Sequence, residues 1–384
     1  MDAIARGNRS VDPAGNDCGR TAPGLDAIAA LAAGPLAAKA TEIDEGHYPL
    51  EMMAPLAEAG AFSFHLAEQG QRYDLALVAM ETISSACGST GFLTWAHDVM
   101  GLYLDESENT ALKARILPAH LAGRTFGGTA LSNPMKALAG IEPMLLKAVP
   151  APGGWCVSGS LPWVSHIGAG QYCAALASTG EGREMMFFLP LDERAILRQC
   201  PKFSGMEGTG TWGITLKDFF VPQEDVIADP ARPFIKRIRA AFILLQAGMA
   251  TGISVGAIND IRAVEGHLGH VNRFLNDGAD ALQAELDDLR ARVLVLAQTP
   301  FETSDDYLMS VLDARTEGAE FVLRAAQSAL MHQGARGYLM SSAPQRRIRE
   351  SHFVAIVTPA IKHLRWEMDR LQRETMPQAR EHAA

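Results

Sequence analysis

The chain has 384 residues, of which 48% are hydrophobic and 20% are charged, a balance typical of a soluble globular protein. At this length we expect two or three subdomains rather than one core. The formal net charge of −10 argues against nucleic acid or an anionic membrane as a general partner. The five cysteines are scattered and form no CxxC pair, which favours reduced thiols and a cytoplasmic location.

The N-terminal residues 1–24 are predicted to form a flexible tail. They are rich in Gly, Asn, Asp and Pro and lack the apolar core of a secretory signal. No run of 18 or more apolar residues occurs in the chain, so no transmembrane helix is predicted. Residues 25–122 are rich in Ala, Leu, Met and Glu, and stretches such as YDLALVAMETISSA have helical spacing. An α-helical domain is expected there.

Residues 123–231 have a different pattern. Short apolar runs such as QYCAALAST and EMMFFLPL are separated by glycine-containing breaks. Two such runs flank Pro-Gly-Gly in MLLKAVPAPGGWCVSG, which predicts a hairpin. We expect a compact, barrel-like β domain with antiparallel connections.

The helical period returns from residue 232 to 384. Helices are predicted near 233–270, 304–331 and 359–375. Between them an apolar stripe repeats at steps of 4, 3, 4 and 3, and consists of Leu282, Leu286, Leu289, Val293 and Leu296. Such a stripe is typical of a helix that packs in a bundle.

The segment LPWVSH puts Trp163 and Ser165 on one side of an extended chain, because side chains alternate along a strand. An aromatic face beside a hydroxyl suits a flat heteroaromatic ligand, whose face meets the ring and whose polar edge meets the hydroxyl. A core tryptophan with an exposed serine gives the same pattern, and the short spacing alone favours that plainer interpretation.

Several stretches together resemble the acyl-CoA dehydrogenases. ENTALKARILPAHLAGRTFGGTALSNP is similar to the junction between that family's helical and β domains, and PWVSHIG resembles its WITNG segment. GMEGTGTWGITLKDFFVPQEDVI, HQGARGY and IRE resemble three later motifs, and all occur in the family's order. The resemblance implies an N-terminal helical domain, a β-barrel-like middle domain and a C-terminal four-helix bundle, which agrees with the α, β, α order of the predicted elements.

The resemblance also implies that the chain binds FAD. By position, Thr129, Leu131 and Ser132 would meet the flavin at the end of a strand. Trp163 would pack on the flavin ring, and Ser165 would bond near its N5 and O4 edge.

Two glycines are implied to contact FAD in a neighbouring subunit of a homodimer or homotetramer. Gly334 and Gly337 would form a turn close to that FAD, since glycine lets the backbone approach a ligand closely. A plain turn between helices explains the two glycines equally well. The implied substrate is a small molecule, such as a CoA or carrier-protein thioester.

The family's catalytic glutamate removes the α-proton of the substrate, and its position here is empty. It follows the glycine turn at a fixed distance, and counting from Gly337 reaches Thr358, which cannot act as a base near neutral pH. In other members the glutamate lies on the first long C-terminal helix, near Ala241 in this chain, where RAAFILLQAG holds no acid.

Two other family motifs are altered. The signature TEPxAGSD reads SNPMKALA from Ser132, so the serine that helps to hold CoA is missing. The RxQFG segment, which grips the neighbour's FAD, reads EGHLG at 265–269 and keeps only its glycine.

Other side chains suit chemistry by type or position. By the resemblance, His97 lies on a helix that faces the substrate cavity, where it would relay protons or orient a substrate, and His352 lies near Thr358 in sequence. A lone histidine is more often structural. A solvated basic helix face is favoured over anion binding for four residues: Lys136, Arg346, Arg347 and Arg349. No metal-ligand spacing occurs.

Three functions stay open. The first is an acyl-CoA dehydrogenase-like oxidoreductase with an unusual base or none. The second is a flavin-dependent monooxygenase on the same fold, which needs no α-proton base. The third is a catalytically silent partner subunit. The first leads by analogy with most proteins of this resemblance.

Overall fold

The computed structural model describes residues 23–375, and almost all of the predicted tail over residues 1–24 lies outside the described residues. The first elements in this range are helices: α1 (Pro23–Leu31), α2 (Ala37–Asp44), α3 (Met53–Glu58), α4 (Tyr73–Ala86), α5 (Gly88–Glu106) and α6 (Thr110–Leu121). The middle elements are β1 (Gly127–Thr129), α7 (Ser132–Leu138), β2 (Leu146–Ala151), β3 (Gly154–Val164), β4 (Tyr172–Gly180), β5 (Arg183–Pro190), β6 (Ile196–Gln199), β7 (Trp212–Pro222) and β8 (Val226–Ala228). The last are α8 (Ala231–Asn272), α9 (Ala279–Leu296), α10 (Asp305–Gln333), α11 (Ala343–Ile356) and α12 (Ile361–Thr375).

This order confirms the predicted fold class: a helical N-terminal region, a middle sheet and C-terminal helices. The residue limits proposed for the domains stay a prediction. After β1, the segment that contains Asn133 and Pro134 forms helix α7. Pro134 lies in the first turn of that helix, where the missing N–H of proline removes no helical hydrogen bond.

The strands form one sheet in the order β6-β7-β3-β2-β4-β5-β8, with β1 beside β4. The predicted hairpin is confirmed, since β2 and β3 pair antiparallel and Ala151 lies opposite Gly154. Gly153 in its turn has φ +79°, a conformation that favours glycine. The expectation of antiparallel connections holds for most pairs but not for β1–β4 and β2–β4, which are parallel.

Helix α8 is the central helix of the C-terminal region and packs against α4, α5, α9, α10 and α11. Its length and composition would suit a membrane span, yet 94% of its most apolar window is buried inside the protein. This burial is what a core helix requires. The apolar stripe of α9 faces the same core, where Leu282 and Leu286 join Ile258 and Phe321 in one cluster. The stripe is therefore covered within the subunit.

Helix α11 begins the stretch that leads to Thr358, and its charged side chains point inward. Arg346 donates to Glu350 one turn later at 3.2 Å. Glu350 is 0% exposed and accepts from the backbone N–H of Gly88 at 2.9 Å, at the start of α5. A carboxylate at a helix N-terminus satisfies a free N–H and meets the positive end of the helix dipole. Glu350 thus joins α11 to α5.

The other two arginines of α11 make similar links. Arg347 donates to Asp260 of α8 at 2.6 Å, and Arg349 pairs with Asp44 of α2. The expected solvated basic face is wrong for all three arginines, because they are largely buried and each has a carboxylate partner. Lys136 is also paired, with Glu142 at 2.9 Å. Buried charges of this kind need such partners.

Candidate functional site

The end of β3 presents the predicted aromatic and hydroxyl pair. Trp163 is 59% exposed and Val164, the next residue, is 1% exposed. Strict alternation is interrupted just before them, because Pro162 is also exposed and the pairing of β3 with β7 shifts register between Leu161 and Val164. The shared side of Trp163 and Ser165 stays a prediction. Ser165 is half-buried, and its Oγ lies 2.7 Å from the Oγ1 of Thr211. Thr211 Oγ1 is in turn 2.9 Å from Thr209 Oγ1. Sequence reasoning missed these two threonines, although they lie in the quoted motif GTGTWG.

The end of β1 carries the next group of predicted residues. Thr129, at the end of β1, has its Oγ1 2.9 Å from the hydroxyl of Tyr103, which fixes the strand end to α5. Leu131 is buried and Ser132 is exposed at the first position of α7. Of the three predicted residues here, Ser132 is the one whose side chain is exposed enough to reach a ligand directly.

Ser132 meets the residue at the empty base position. Its Oγ lies 2.9 Å from Thr358 Oγ1, although the two residues are 226 positions apart. The side-chain amide of Gln246, on α8, donates to the Thr358 carbonyl at 2.9 Å. Within residues 23–375, the side chains that hydrogen-bond Thr358 are therefore a hydroxyl and an amide, and neither is acidic. We call this contact the Ser132–Thr358 junction.

The structure places His97 in a closed array and not in an open cavity. His97 is 0% exposed, and its ring stacks on that of His120 with centroids 3.5 Å apart and an interplanar angle of 15°. Nε2 of His97 donates to the His120 carbonyl at 2.9 Å, and Nε2 of His120 donates to the His97 carbonyl at 2.9 Å. This reciprocal pair joins α5 to the end of α6.

The remaining ring nitrogens have partners too. Because a carbonyl only accepts, both Nε2 atoms carry hydrogen, and the Nδ1 atoms of the neutral rings accept. His97 Nδ1 accepts from His166 Nε2 at 3.1 Å, and His120 Nδ1 accepts from the Tyr172 hydroxyl at 2.8 Å. His166 Nδ1 then accepts from the Tyr48 hydroxyl at 2.9 Å. A proton that entered through Tyr48 would stop at a backbone carbonyl, so the array does not form a relay.

Burial keeps these rings neutral. It lowers the pKa of His120 and of His166 to about 3, and it holds the pKa of His97 well below its usual range, with further lowering by the two neighbouring rings. Two stacked imidazolium cations would repel each other, which agrees with the same conclusion. His352, by contrast, is exposed on α11.

The two predicted glycines lie in the turn at the end of α10, where Gly334 is exposed and Gly337 is buried. Gly334 has φ +61° and ψ −142° and ends the helix, a backbone conformation that favours glycine. At Gly337 a Cβ atom would lie 2.7 Å from that of Gln333, so close packing excludes a larger residue there. Both observations explain the glycines as turn residues, and their contact with a neighbour's cofactor stays a prediction.

The residues predicted to bind FAD have side chains of suitable chemistry for it. Trp163 offers an exposed ring face, and Ser132, Ser165, Thr211 and Thr358 offer hydroxyls that bind either donors or acceptors. Flat heteroaromatic ligands are held by such combinations of ring and polar contacts. The donor set therefore suits the polar edge of a flavin.

Comparisons with known proteins agree with the observed fold. Residues 25–124 match the family described as the N-terminal domain of acyl-CoA dehydrogenase. A short-chain specific acyl-CoA dehydrogenase of Clostridium acetobutylicum is 22% identical over 338 residues, covering 83% of this chain and 88% of the relative. The match to a mitochondrial isovaleryl-CoA dehydrogenase of Oryza sativa is 27% identical over 175 residues but spans 42% of this chain and 41% of the relative.

Solved structures share the fold over nearly the whole chain. Butyryl-CoA dehydrogenase from Megasphaera elsdenii superposes with a TM-score of 0.80 at 16% identity, covering 91% of this chain and 97% of that one. A dibenzothiophene monooxygenase from a Paenibacillus species superposes with a TM-score of 0.73 at 17% identity, covering 92% and 98%. At these identities the likeness establishes the fold alone.

Proposed function

Because this chain belongs to the acyl-CoA dehydrogenase superfamily, we propose that it is an FAD-dependent oxidoreductase that acts on an acyl thioester or a related substrate without the usual carboxylate base. The observation that carries the proposal is the Ser132–Thr358 junction, with its hydroxyls 2.9 Å apart. It joins the strand end expected at the flavin to the position expected for the base. The names of relatives that act on CoA esters support the substrate class.

The roles of the residues follow from their exposure and hydrogen bonds. FAD supplies a hydride acceptor when it is bound. Trp163 covers one side of the ring site, and the Ser165 hydroxyl, held by Thr211 at 2.7 Å, is oriented toward the polar edge. Of the two junction hydroxyls, the one that does not donate to the other orients a substrate carbonyl by donating a hydrogen bond to it. Neither hydroxyl removes a proton near neutral pH.

A flavin-dependent monooxygenase on the same fold is the second candidate. The specific observation in its favour is again the junction, which holds hydroxyls where α,β-dehydrogenation requires a base. A monooxygenase shares the fold. A catalytically silent partner subunit is the third candidate, and it predicts that no substrate alters a bound flavin.

The three candidates are separated by a spectrum and a substrate panel. We expect purified protein to show flavin absorbance, and anaerobic addition of acyl-CoAs to bleach it if the substrate is a thioester. Substrate oxidation that needs reduced flavin and consumes oxygen, without anaerobic bleaching, would favour the monooxygenase. Absence of flavin would favour the partner subunit.

The empty base position is tested by Thr358→Glu, with Thr358→Gln as the uncharged control of matched size. General-base assistance is worth about 10²–10⁴-fold. We expect the glutamate variant to oxidise a saturated acyl-CoA at least about tenfold faster than the glutamine variant, because only glutamate accepts a proton. Rapid oxidation by the unmodified protein, unchanged by Thr358→Glu, would place the base elsewhere.

We propose that the chain assembles as a homodimer or homotetramer. Since the stripe of α9 is covered within the subunit, we place the contact at the end of the bundle where Asn272 of α8 donates to the His332 carbonyl of α10 at 3.1 Å. Five apolar residues at this end are more than half exposed: Val271, Phe274, Tyr338, Leu339 and Met340. Patches of this kind mark interfaces.

Light scattering tests this assembly and should report an oligomer. The double variant Phe274→Asp with Leu339→Asp should lower the measured mass of the particle, because it places charges in the exposed apolar patch. A monomeric unmodified protein would refute the proposal.

A further inference from the structure

One buried arginine lies behind the Ser132–Thr358 junction. Arg315 is 2% exposed and belongs to the apolar face of α10. Four neighbours on this face are also buried. They are Val311 and Leu312 one turn before Arg315, Ala319 one turn after it, and Val322 two turns after it. An arginine in the middle of such a face is rare unless its guanidinium has specific partners.

The hydrogen bonds of Arg315 lead directly to the junction. Its Nε donates to Gln246 Oε1 at 2.8 Å, and Gln246 Nε2 donates to the Thr358 carbonyl at 2.9 Å. Its Nη2 donates to the Val354 carbonyl at 2.7 Å, in the last turn of α11. One guanidinium therefore holds both the end of α11 and, through one amide, the turn that follows it.

The charge of this guanidinium is not neutralised by a partner. Among residues 23–375 Arg315 forms no ion pair, and its Nη1 is buried without a hydrogen-bond partner. Burial lowers its pKa to about 10, so the group stays protonated at neutral pH. The carbonyl end of α11 offsets part of this cost, because a cation is favourable at a helix C-terminus. Three of the protein's other buried arginines have carboxylate partners.

We propose that Arg315 is a positioning residue for the candidate site: through Gln246 it fixes the Thr358 turn so that the Thr358 hydroxyl stays against Ser132. Its fork-shaped guanidinium suits the task, because two N–H groups in one plane reach an amide oxygen and a carbonyl at once. A lysine ammonium has no such fixed fork. The positioning itself follows from the hydrogen bonds, and its effect on cofactor binding rests on the proposed function.

Hydrogen exchange tests the positioning without any cofactor. We expect Arg315→Met to raise amide exchange in residues 357–361 by about tenfold or more, because hydrogen bonds to a charged group contribute more than neutral ones. Arg315→Lys should give an exchange rate between those of Arg315→Met and the unmodified protein. Arg292→Met is the matched control, since Arg292 contacts the exposed side of the same helix through Asp313 and Glu317. The control should leave exchange in 357–361 unchanged.

A second variant keeps the test decisive if Arg315→Met does not fold. Gln246→Leu removes the amide between Arg315 and Thr358 and should raise exchange over the same residues. The proposal is overturned if exchange in 357–361 is unchanged in every folded Arg315 or Gln246 variant. It is also overturned if exchange rises equally across the protein, since that result describes a general loss of stability.

A double-mutant cycle connects the positioning to the site. Ser132→Ala and Arg315→Met are combined, and the dissociation constant of FAD is measured for all four proteins. We expect each single change to weaken FAD binding and the double change to weaken it by clearly less than the product of the two, because both act on one junction. Independent effects would contradict the proposal. If the unmodified protein binds no FAD, the proposed function fails while the exchange result still decides the positioning.

Discussion

The His97 array and the Ser132–Thr358 junction both contain residues expected to be functional, yet they differ in exposure and in hydrogen bonding. In the array, the three stacked or adjacent rings are 0% exposed, and each ring nitrogen has a partner within 3.1 Å. In the junction, Ser132 is exposed and Thr358 is half-buried, and the hydroxyls keep unused hydrogen-bonding capacity. A saturated buried network stabilises a fold, whereas exposed hydroxyls are available to a ligand.

The difference also separates two kinds of polar burial. The array stays neutral because desolvation opposes the charged form of each ring. Arg315 behind the junction keeps its charge, because a guanidinium loses its proton only at high pH. We conclude that the array joins the helical region to the sheet, while the junction and its buried arginine form the part of the molecule suited to a reacting group.

The largest expected effect concerns the pH dependence of stability. Burial lowers the pKa of a fourth buried ring, His65, to about 4; its Nε2 donates to the Asp98 carbonyl at 2.9 Å. Burial also lowers the pKa of His120 and His166 to about 3, and it lowers that of His97 as well. Unfolded histidine titrates near 6.5, so below that pH the unfolded state binds more protons than the folded state. Below that pH, each ring lowers the free energy of unfolding by about 1.4 kcal/mol per pH unit. Stability should be full above about pH 6.5 and fall as the pH decreases toward about 3 to 4.

A buried carboxyl group acts in the opposite sense. Burial raises the pKa of Asp98 well above its usual value, so its contribution to stability is present at low pH and decreases as the pH rises above about 3.8. On going from pH 7.5 to 5.5, the stability gained from Asp98 offsets at most the stability lost from about two of the four histidines. We therefore expect a net loss of about 3–5 kcal/mol in the free energy of unfolding, measured by denaturant titration at the two pH values.

Two variants sharpen that measurement. Asp98→Asn removes the opposing titration, so the loss on acidification should grow. His352→Asn changes an exposed ring and should leave the pH dependence as it is. Equal stability of the unmodified protein at pH 7.5 and 5.5 would mean that the folded rings accept protons, and the array would then be open after all.

A smaller effect is expected from breaking the array at one ring. His97→Leu leaves the His166 Nε2–H and the His120 carbonyl without partners, and each buried unpaired group costs about 1–3 kcal/mol. We expect a loss of about 2–5 kcal/mol in unfolding free energy with no more than about a twofold change in kcat, since the array does not conduct protons. His352→Leu is the control. A loss of about 10²-fold or more in kcat with normal stability would instead make His97 part of the reaction.

The sequence was sufficient for much of the fold because its signals are periodic. The hairpin at Pro-Gly-Gly, the long α8 and the stripe of α9 all follow from local spacing. The orientation of α11 does not, because Arg346, Arg347 and Arg349 look like a solvated face until distant carboxylates are brought to them by packing. Local pattern contains no information on such long-range pairs.

The candidate site was predictable to the same extent. Trp163 and Ser165 were predicted from alternation and Thr358 from the family spacing, and their roles at the site stay predictions. Gln246 and Arg315 were missed, because their partners lie 112 and 39 residues away. A signal for Arg315 was present, since a charged residue interrupts the buried positions of α10. A lone polar residue on an apolar stripe is therefore worth testing as a hydrogen-bond donor to a site.

The smallest expected effect concerns Trp163, the exposed ring that is predicted to contact the flavin. Trp163 is 59% exposed, so Trp163→Ala should change stability little, but it removes a ring contact worth about 1 kcal/mol. We expect about fivefold weaker FAD binding, measured by flavin fluorescence titration. Phe220→Ala is the matched control, because Phe220 is an exposed aromatic residue on β7 of the same sheet, opposite Cys156 near the start of β3. Equal FAD affinity for the Trp163 variant and the unmodified protein would remove the indole from the site and leave the hydroxyls of Ser132, Ser165 and Thr358 as its binding groups.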